Sequence, residues 1–148
     1  MDTIVELMAD DHRTCDEEFA RIEQAVKAGD WSGAARALKL FRDAMERHLG
    51  AEETVLFPAF EAATGMTMGP TRVMRMEHIQ MRSLMDDLIA AIEGSDTASF
   101  RGQAETLLIL MQQHNLKEEN MLYPMCDQHL ADQSATLCAR LDEAVRRV

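Results

Sequence analysis

The sequence predicts an all-α fold, an up-down-up-down four-helix bundle closed by a short fifth helix at its C-terminal end. Three observations carry that prediction. The chain is rich in helix formers and poor in breakers and aromatics, with 12 Met but only 7 Gly, 3 Pro and 5% aromatic residues in 148. Apolar residues recur in alternating steps of three and four along every long segment, the period of a helix with one buried face. The first half of the chain also repeats in the second at an offset of 66 residues without a gap, so the packing that suits one helix pair suits the other.

The helix boundaries follow from local chemistry. AGDW at 28–31, TGMTMGP at 64–70 and EGSDT at 93–97 each combine Gly with Pro or with a capping Asp, Ser or Thr. They leave helices over about residues 2–27, 32–63, 70–92 and 98–128, and a fifth over about 131–147 with Leu137, Leu141 and Val145 as its apolar residues. At this length the chain, 1–148, is expected to be a single domain that buries roughly two-thirds of its unfolded surface. Pro58 and Pro124 fall near the ends of the second and fourth helices, where they should kink the helix or mark its last turn.

The stripes define the expected core. The first helix reads Met8, His12, Cys15, Phe19, Ile22, Val26, and the second reads Leu38, Phe41, Met45, His48, Glu52, Val55, Ala59. The third gives Met74, His78, Met81, Met85, Leu88, Ile92, and the fourth gives Ala104, Leu107, Met111, His114, Glu118, Met121, Met125. Adding 66 carries Met8 to Met74, His12 to His78, His48 to His114, Glu52 to Glu118, Glu53 to Glu119 and Pro58 to Pro124.

Four imidazoles and two carboxylates therefore sit on faces that are otherwise apolar. Residues four apart lie one above the other on a helix, so His48 with Glu52 and His114 with Glu118 point into the bundle together, and His12 and His78 join them from the other two helices. Each uncompensated buried charge costs several kcal/mol, against a whole-domain stability of about 5–15 kcal/mol. Two divalent cations neutralise the set, one taking His12 and His48 and the other His78 and His114, with Glu52 and Glu118 bridging. Thiolate is absent from the set, which disfavours structural zinc, and mixed nitrogen and oxygen donors suit iron or manganese.

The order His-x-x-x-Glu, one isolated His on each of the first and third helices, and the doubled motif HLGAEETVLFP (48–58) and HNLKEENMLYP (114–124) resemble the hemerythrin-like, HHE cation-binding family. Ferritin-like bundles place Glu before His, as Glu-x-x-His, and these stripes contain no such pair. The resemblance covers nearly the whole chain. It implies a non-haem, carboxylate-bridged di-iron centre with His12, His48, Glu52, His78, His114 and Glu118 as ligands, manganese or zinc fitting less well. It also implies a small diatomic ligand or peroxide as partner.

The chain departs from the oxygen-carrying hemerythrins in two places. They have a His-x-x-x-His pair on the third helix, where this chain has Met74 before His78, and an Asp five residues after the fourth helix's histidine, where it has Glu119 with Glu118 at four. A thioether is a poor ligand for hard ferric iron, so reversible oxygen carriage is not expected. The symmetric four-His, two-Glu set is more similar to the branch that repairs iron centres, although 148 residues leave no room for that branch's usual additional N-terminal domain. Two function classes follow. One is a module that binds or senses oxygen, nitric oxide or iron. The other is an enzyme acting on oxygen, peroxide or nitric oxide, or an iron donor in the repair of iron-sulfur centres.

A formal charge of −11 repels phosphates and anionic membrane surfaces and argues against nucleic-acid binding. No run approaches the ~20 apolar residues of a membrane helix, and MDTIVELMADDH has acids where a signal peptide is basic. Three cysteines without C-x-x-C spacing suit a reducing, cytoplasmic setting, with Cys15 buried as packing. Most methionines fall at stripe spacing and read as core filler. His129 lies off the stripes and is expected at the surface, and Tyr123, one step off the stripe, at a boundary position. A homodimer or another protein partner is compatible with these features.

Overall fold

The computed structural model describes residues 2–146, and among them every regular element is helical. In chain order these are α1 (Ile4–Lys27), α2 (Trp31–Ala51), a π-helical turn (Glu52–Leu56), α3 (Phe57–Thr64), α4 (Pro70–Glu93), α5 (Thr97–Lys117), a second π-helical turn (Glu118–Leu122), α6 (Tyr123–His129), a 3-10 turn (Ala131–Gln133) and α7 (Ser134–Arg146). The helix pairs α1/α2 and α4/α5 pack against each other as an up-down-up-down bundle, and α7 folds back over α1, α2 and the first π turn. The predicted fifth helix is thus α7, preceded by the 3-10 turn. Its expected last residue, 147, lies outside the described residues.

The repeat extends to the helix caps. Asp30 accepts from the Gly33 N–H at 2.8 Å to start α2, and Asp96 accepts from the Ser99 N–H at 3.0 Å to start α5. Each satisfies one of the amides that the first turn leaves unbonded. The turns before them match as well, with Asp30 N–H donating to Ala25 and Asp96 N–H to Ala91.

The π turns correct the expected core. Each half of the repeat has its turn between the inward Glu and the proline, and the amides of Phe57 and Tyr123 donate to the carbonyls of Glu52 and Glu118, five residues back. Proline has no N–H to offer the preceding turn, and the widened turn lets the helix continue through Pro58 and Pro124 at the starts of α3 and α6. The extra residue advances the buried stripe by one. Leu56 and Phe60 are therefore fully buried where the three-four period points to Val55 and Ala59, and Leu122 and Cys126 replace Met121 and Met125. Met121 is 61% exposed.

The apolar core falls into two clusters. One, around Phe19, Phe41, Met81, Met85 and Leu107, fills the end of the bundle near the α1–α2 and α4–α5 turns. The other gathers Ile4, Met8, Leu56, Phe57, Phe60, Met74, Leu122 and Tyr123 with Leu137, Leu141 and Val145 of α7. Between them lies a layer of buried polar side chains. Cys15, Cys126 and Cys138 are free and buried, and burial pushes the Cys15 and Cys126 thiols far up, so they remain protonated filler.

One pair of equivalent residues breaks the match. Gly29 turns from α1 to α2 at φ +73°, and its counterpart before α5 is Ser95 at φ +49°. A side chain in the left-handed region costs about 1 kcal/mol or more, which glycine avoids. Ser95→Gly is accordingly expected to raise stability by about 0.5–1 kcal/mol, a shift of a few degrees in Tm for a chain of this size, measured by thermal melting.

Candidate metal centre

The buried polar layer consists of His12, His48, Glu52, His78, His114 and Glu118, together with Tyr123. The six predicted residues are at most 4% exposed, and Glu52, His78 and Glu118 are fully buried. α1 supplies His12 and α4 supplies His78, α2 and α5 supply His48 and His114 from their last turns, and the π turns open with Glu52 and Glu118.

Every imidazole is held from outside by a carboxylate on Nδ1. His12 Nδ1 lies 2.7 Å from Glu119 Oε2, His48 Nδ1 2.7 Å from Asp11 Oδ2, His78 Nδ1 2.7 Å from Glu53 Oε2 and His114 Nδ1 2.8 Å from Glu77 Oε1. These four acids obey the repeat, since 11 + 66 = 77 and 53 + 66 = 119. Such a bond fixes the ring's orientation and tautomer and turns Nε2, as an acceptor, toward the bundle axis.

The inward atoms converge as two sets. Donor atoms of Glu52, His78, His114 and Glu118 all lie within 4.8 Å of one another, and so do those of His12, His48 and Glu118. Glu118 belongs to both sets, so its carboxylate reaches both histidine pairs, whereas Glu119 stands outside on His12. Glu52 Oε1 lies 3.1 Å from His78 Nε2 and 3.6 Å from His48 Nε2.

His12 Nε2 bonds Glu118 Oε1 at 3.1 Å, but four other inward atoms bond nothing. Glu52 Oε1, His78 Nε2, His114 Nε2 and Glu118 Oε2 are buried and have no hydrogen-bond partner. His78 Nε2 and His114 Nε2 lie 3.1 and 3.2 Å from carboxylate oxygens without forming a hydrogen bond. Buried lone pairs that point at a common centre and bond nothing fit cations, whose ligands need lone pairs rather than protons.

Tyr123 corrects the sequence reading. It is fully buried rather than at a boundary, because the π turn rotates it inward. Its hydroxyl donates to Glu52 Oε2 at 2.7 Å, lies 3.0 Å from Glu118 Oε1, and comes within 3.2 and 3.3 Å of Nε2 of His12 and His48. The residue 66 earlier is Phe57. Each ring stacks on an imidazole at 5.6 Å, Tyr123 on His12 and Phe57 on His78, but only Tyr123 brings an oxygen. His129 is exposed and edges onto Phe60, apart from both sets.

The outer carboxylates differ between halves in the same sense. Glu53 is bound by Arg82 at 2.8 and 2.9 Å and Glu77 by Lys117 at 2.6 Å, while the residues equivalent to Arg82 and Lys117 are Asp16 and Ala51. The His12/His48 side consequently keeps more uncompensated negative charge. Burial alone would lower His12, but Glu118 and Glu119 outweigh it and raise it to about 10, and Glu118 likewise raises His114 to about 9. Burial and the neighbouring Glu118 push Glu52 up. Glu118, although burial opposes it, is held well below the carboxylate range by its close neighbours Glu52, His114 and His12.

The profile of the hemerythrin HHE cation-binding domain matches residues 3–126. The chain belongs to the hemerythrin HHE cation-binding family. Among curated proteins it is similar to the iron-sulfur cluster repair protein YtfE of Musicola paradisiaca, 31% identical over 118 residues, covering 73% of this chain and 52% of that protein. It is also similar to the YtfE of Edwardsiella ictaluri, 32% identical over 108 residues, covering 66% and 48%. The chain spans about half the length of these relatives. No solved structure matches significantly. Family members bind cations, and the described residues offer two adjoining His/Glu groups able to hold them.

Two outcomes follow for protein stripped of metal by a chelator. His12 and His114 titrate higher in the folded chain than the ordinary 6.5, so their stabilising contribution is complete below pH 6.5 and is lost as pH rises through about 9 to 10. Thermal melts of the chelated protein between pH 6.5 and 10 should show that fall. Tyr123→Phe removes the donor to the buried Glu52 Oε2 and should cost about 1–3 kcal/mol in chemical denaturation, and an unchanged midpoint would contradict the assignment of that bond.

Proposed function

We propose that the chain is a non-haem di-iron protein that takes up oxygen, nitric oxide or iron itself at a centre held by His12, His48, Glu52, His78, His114 and Glu118. The observation that supports it most is the set of buried, unpartnered donor atoms facing one another, with all four imidazoles braced on their outer nitrogens. One ion is assigned to His12 and His48, the other to His78 and His114, with Glu52 and Glu118 as bridges. Six nitrogen and oxygen donors with no thiolate suit iron, with manganese next and zinc less well.

When bound, iron supplies redox chemistry toward small diatomic molecules or peroxide. The chain's own residues do the rest. The two apolar clusters exclude bulk water, the outer acids orient the rings, and the Tyr123 hydroxyl holds a proton against Glu52. Met8 and Met74 are buried in the apolar cluster one turn before His12 and His78, where an additional imidazole would otherwise bind. An ion held by either group would have few protein ligands and room for a small molecule, which favours uptake or sensing over stable carriage.

A second reading has its own support. The relatives are named for iron-sulfur cluster repair, and a centre with few ligands per ion also suits a protein that delivers iron as cargo to a damaged cluster. Among the described residues no helix is long and apolar enough to cross a membrane, and the acidic chain with free, buried thiols fits a cytoplasmic setting. Turnover of peroxide or nitric oxide by the reduced protein well beyond one equivalent would make it an enzyme, whereas a single stoichiometric event supports binding.

The metal content tests the whole reading. Elemental analysis of the purified protein is expected to give two ions per chain, mainly iron. His48→Ala or His114→Ala should lose half of that metal or all of it, and His129→Ala none. One ion or fewer in the wild type, or equal loss in all three variants, would refute the ligand set.

A further inference from the structure

Once the six inward side chains are assigned to ions, one polar group in the layer is left over. The Tyr123 hydroxyl is fully buried and has four neighbours within 3.3 Å, namely Glu52 Oε2, Glu118 Oε1 and Nε2 of His12 and His48. Its proton goes to Glu52 Oε2, the nearest acceptor at 2.7 Å. Cations bound to these groups change that. Both Nε2 lone pairs are then directed at an ion, and the two carboxylates give up electron density to the ions they bridge, so all four acceptors weaken together. Tyr123 keeps an O–H that has to find a partner in a site closed to bulk water.

The two halves offer a small molecule different surroundings. Donor atoms of Glu52, His78, His114 and Glu118 form one group, and those of His12, His48 and Glu118 form the other. An ion in the three-residue group has the more open position, and the hydroxyl stands beside both of its imidazoles. On the other side the equivalent residue is Phe57, which stacks on His78 at 5.6 Å and is covered by the Arg75 guanidinium at 5.3 Å. Its ring presents only carbon. Tyr123 otherwise shares an apolar cluster with Met8, Leu56 and Leu122, so its hydroxyl is the one hydrogen-bond donor that this cluster turns toward the centre.

We propose, resting on the di-iron reading above, that the Tyr123 hydroxyl donates a hydrogen bond to a small molecule held at the His12/His48 ion, and so selects ligands whose outer atom carries negative charge. Azide and peroxide carry that charge from the start, and nitric oxide and dioxygen acquire it by drawing electron density from ferrous iron. A fixed donor in a site closed to water is worth more to such an atom than the same donor in water. Open position and donor coincide on one side of the pseudo-symmetric centre. The His12/His48 ion therefore takes the small molecule, while the His78/His114 ion stays ligated by protein.

Azide is the probe. Elemental analysis of the iron-loaded, full-length chain comes first and is expected to give two irons. In the diferric state the chain is expected to bind one azide, followed by the azide-to-iron absorption band, and the stretching frequency of the bound azide should differ between H2O and D2O. Tyr123→Phe should keep both irons, bind azide about tenfold more weakly or worse, as loss of a hydrogen bond to a charged group implies, and lose the isotope shift. Should that variant fail to fold, Tyr123 is the chain's one tyrosine, so incorporation of 3-fluorotyrosine alters this hydroxyl alone, and its more acidic O–H should tighten azide binding. Two irons with no bound azide, or an azide indifferent to D2O and to both changes at Tyr123, overturns the proposal and leaves the di-iron reading standing. An iron-phenolate band in azide-free protein that Tyr123→Phe abolishes also overturns it, because the tyrosine is then itself a ligand. Fewer than two irons refutes the ligand set and the proposal together.

Discussion

The burial of two carboxylates among four imidazoles is the constraint on which the rest of this bundle depends. Glu52 and Glu118 have no exposed surface, and in a medium of low dielectric their mutual repulsion has to be met by cations or protons. The bundle is built around that requirement. Apolar clusters close the layer above and below, and the ring nitrogens that do not face the centre are each taken by an acid. The outer acids raise the basicity of the inner nitrogens and prevent the rings from turning away, so the centre stays preorganised when its charge changes.

Duplication supplies this arrangement economically, because one helix pair encodes half of the inward His and Glu side chains, half of the braces and one cap. The two halves are nevertheless chemically unequal. Tyr123 corresponds to Phe57, Arg82 to Asp16 and Lys117 to Ala51. All three differences make the His12/His48 side richer in oxygen donors or negative charge, and the His78/His114 side more neutral. A symmetric backbone thus holds two His/Glu groups of different electronic character.

Much of this was legible in the sequence. The stripes and the 66-residue offset located the four long helices and brought the six inward residues to one level, because side chains four apart on a helix share a face whatever the tertiary context. The braces were missed although they were in plain view. Asp11 precedes His12 and Glu77 precedes His78, but neighbours on a helix point about 100° apart, so each reaches a histidine on another helix, and only a packed bundle shows which. The doubled EE at 52–53 and 118–119 gave the same signal, one acid turning inward and the next outward. The placement of α7 over the first pair was likewise invisible, since its stripe fits either of two homologous grooves.

The instructive failure concerns Tyr123. A constant three-four period assigns it to a boundary, and the period is not constant, because Pro58 and Pro124 have no N–H to donate to Thr54 and Asn120 four residues back. The chain resolves this with a π turn in each half, which inserts one residue per turn and rotates everything downstream inward by one position. The consequence is chemical as well as geometric. Without the inserted residue, the side chains following Glu52 and Glu118 would be Val55 and Met121, purely apolar. With it, Leu56 and Leu122 take those places and Phe57 and Tyr123 turn inward beside them, so a single hydroxyl enters the centre on one side only. Pro58 and Pro124, which read in the sequence as kinks or last turns, sit directly after the π turns that set which side chain turns inward in each half.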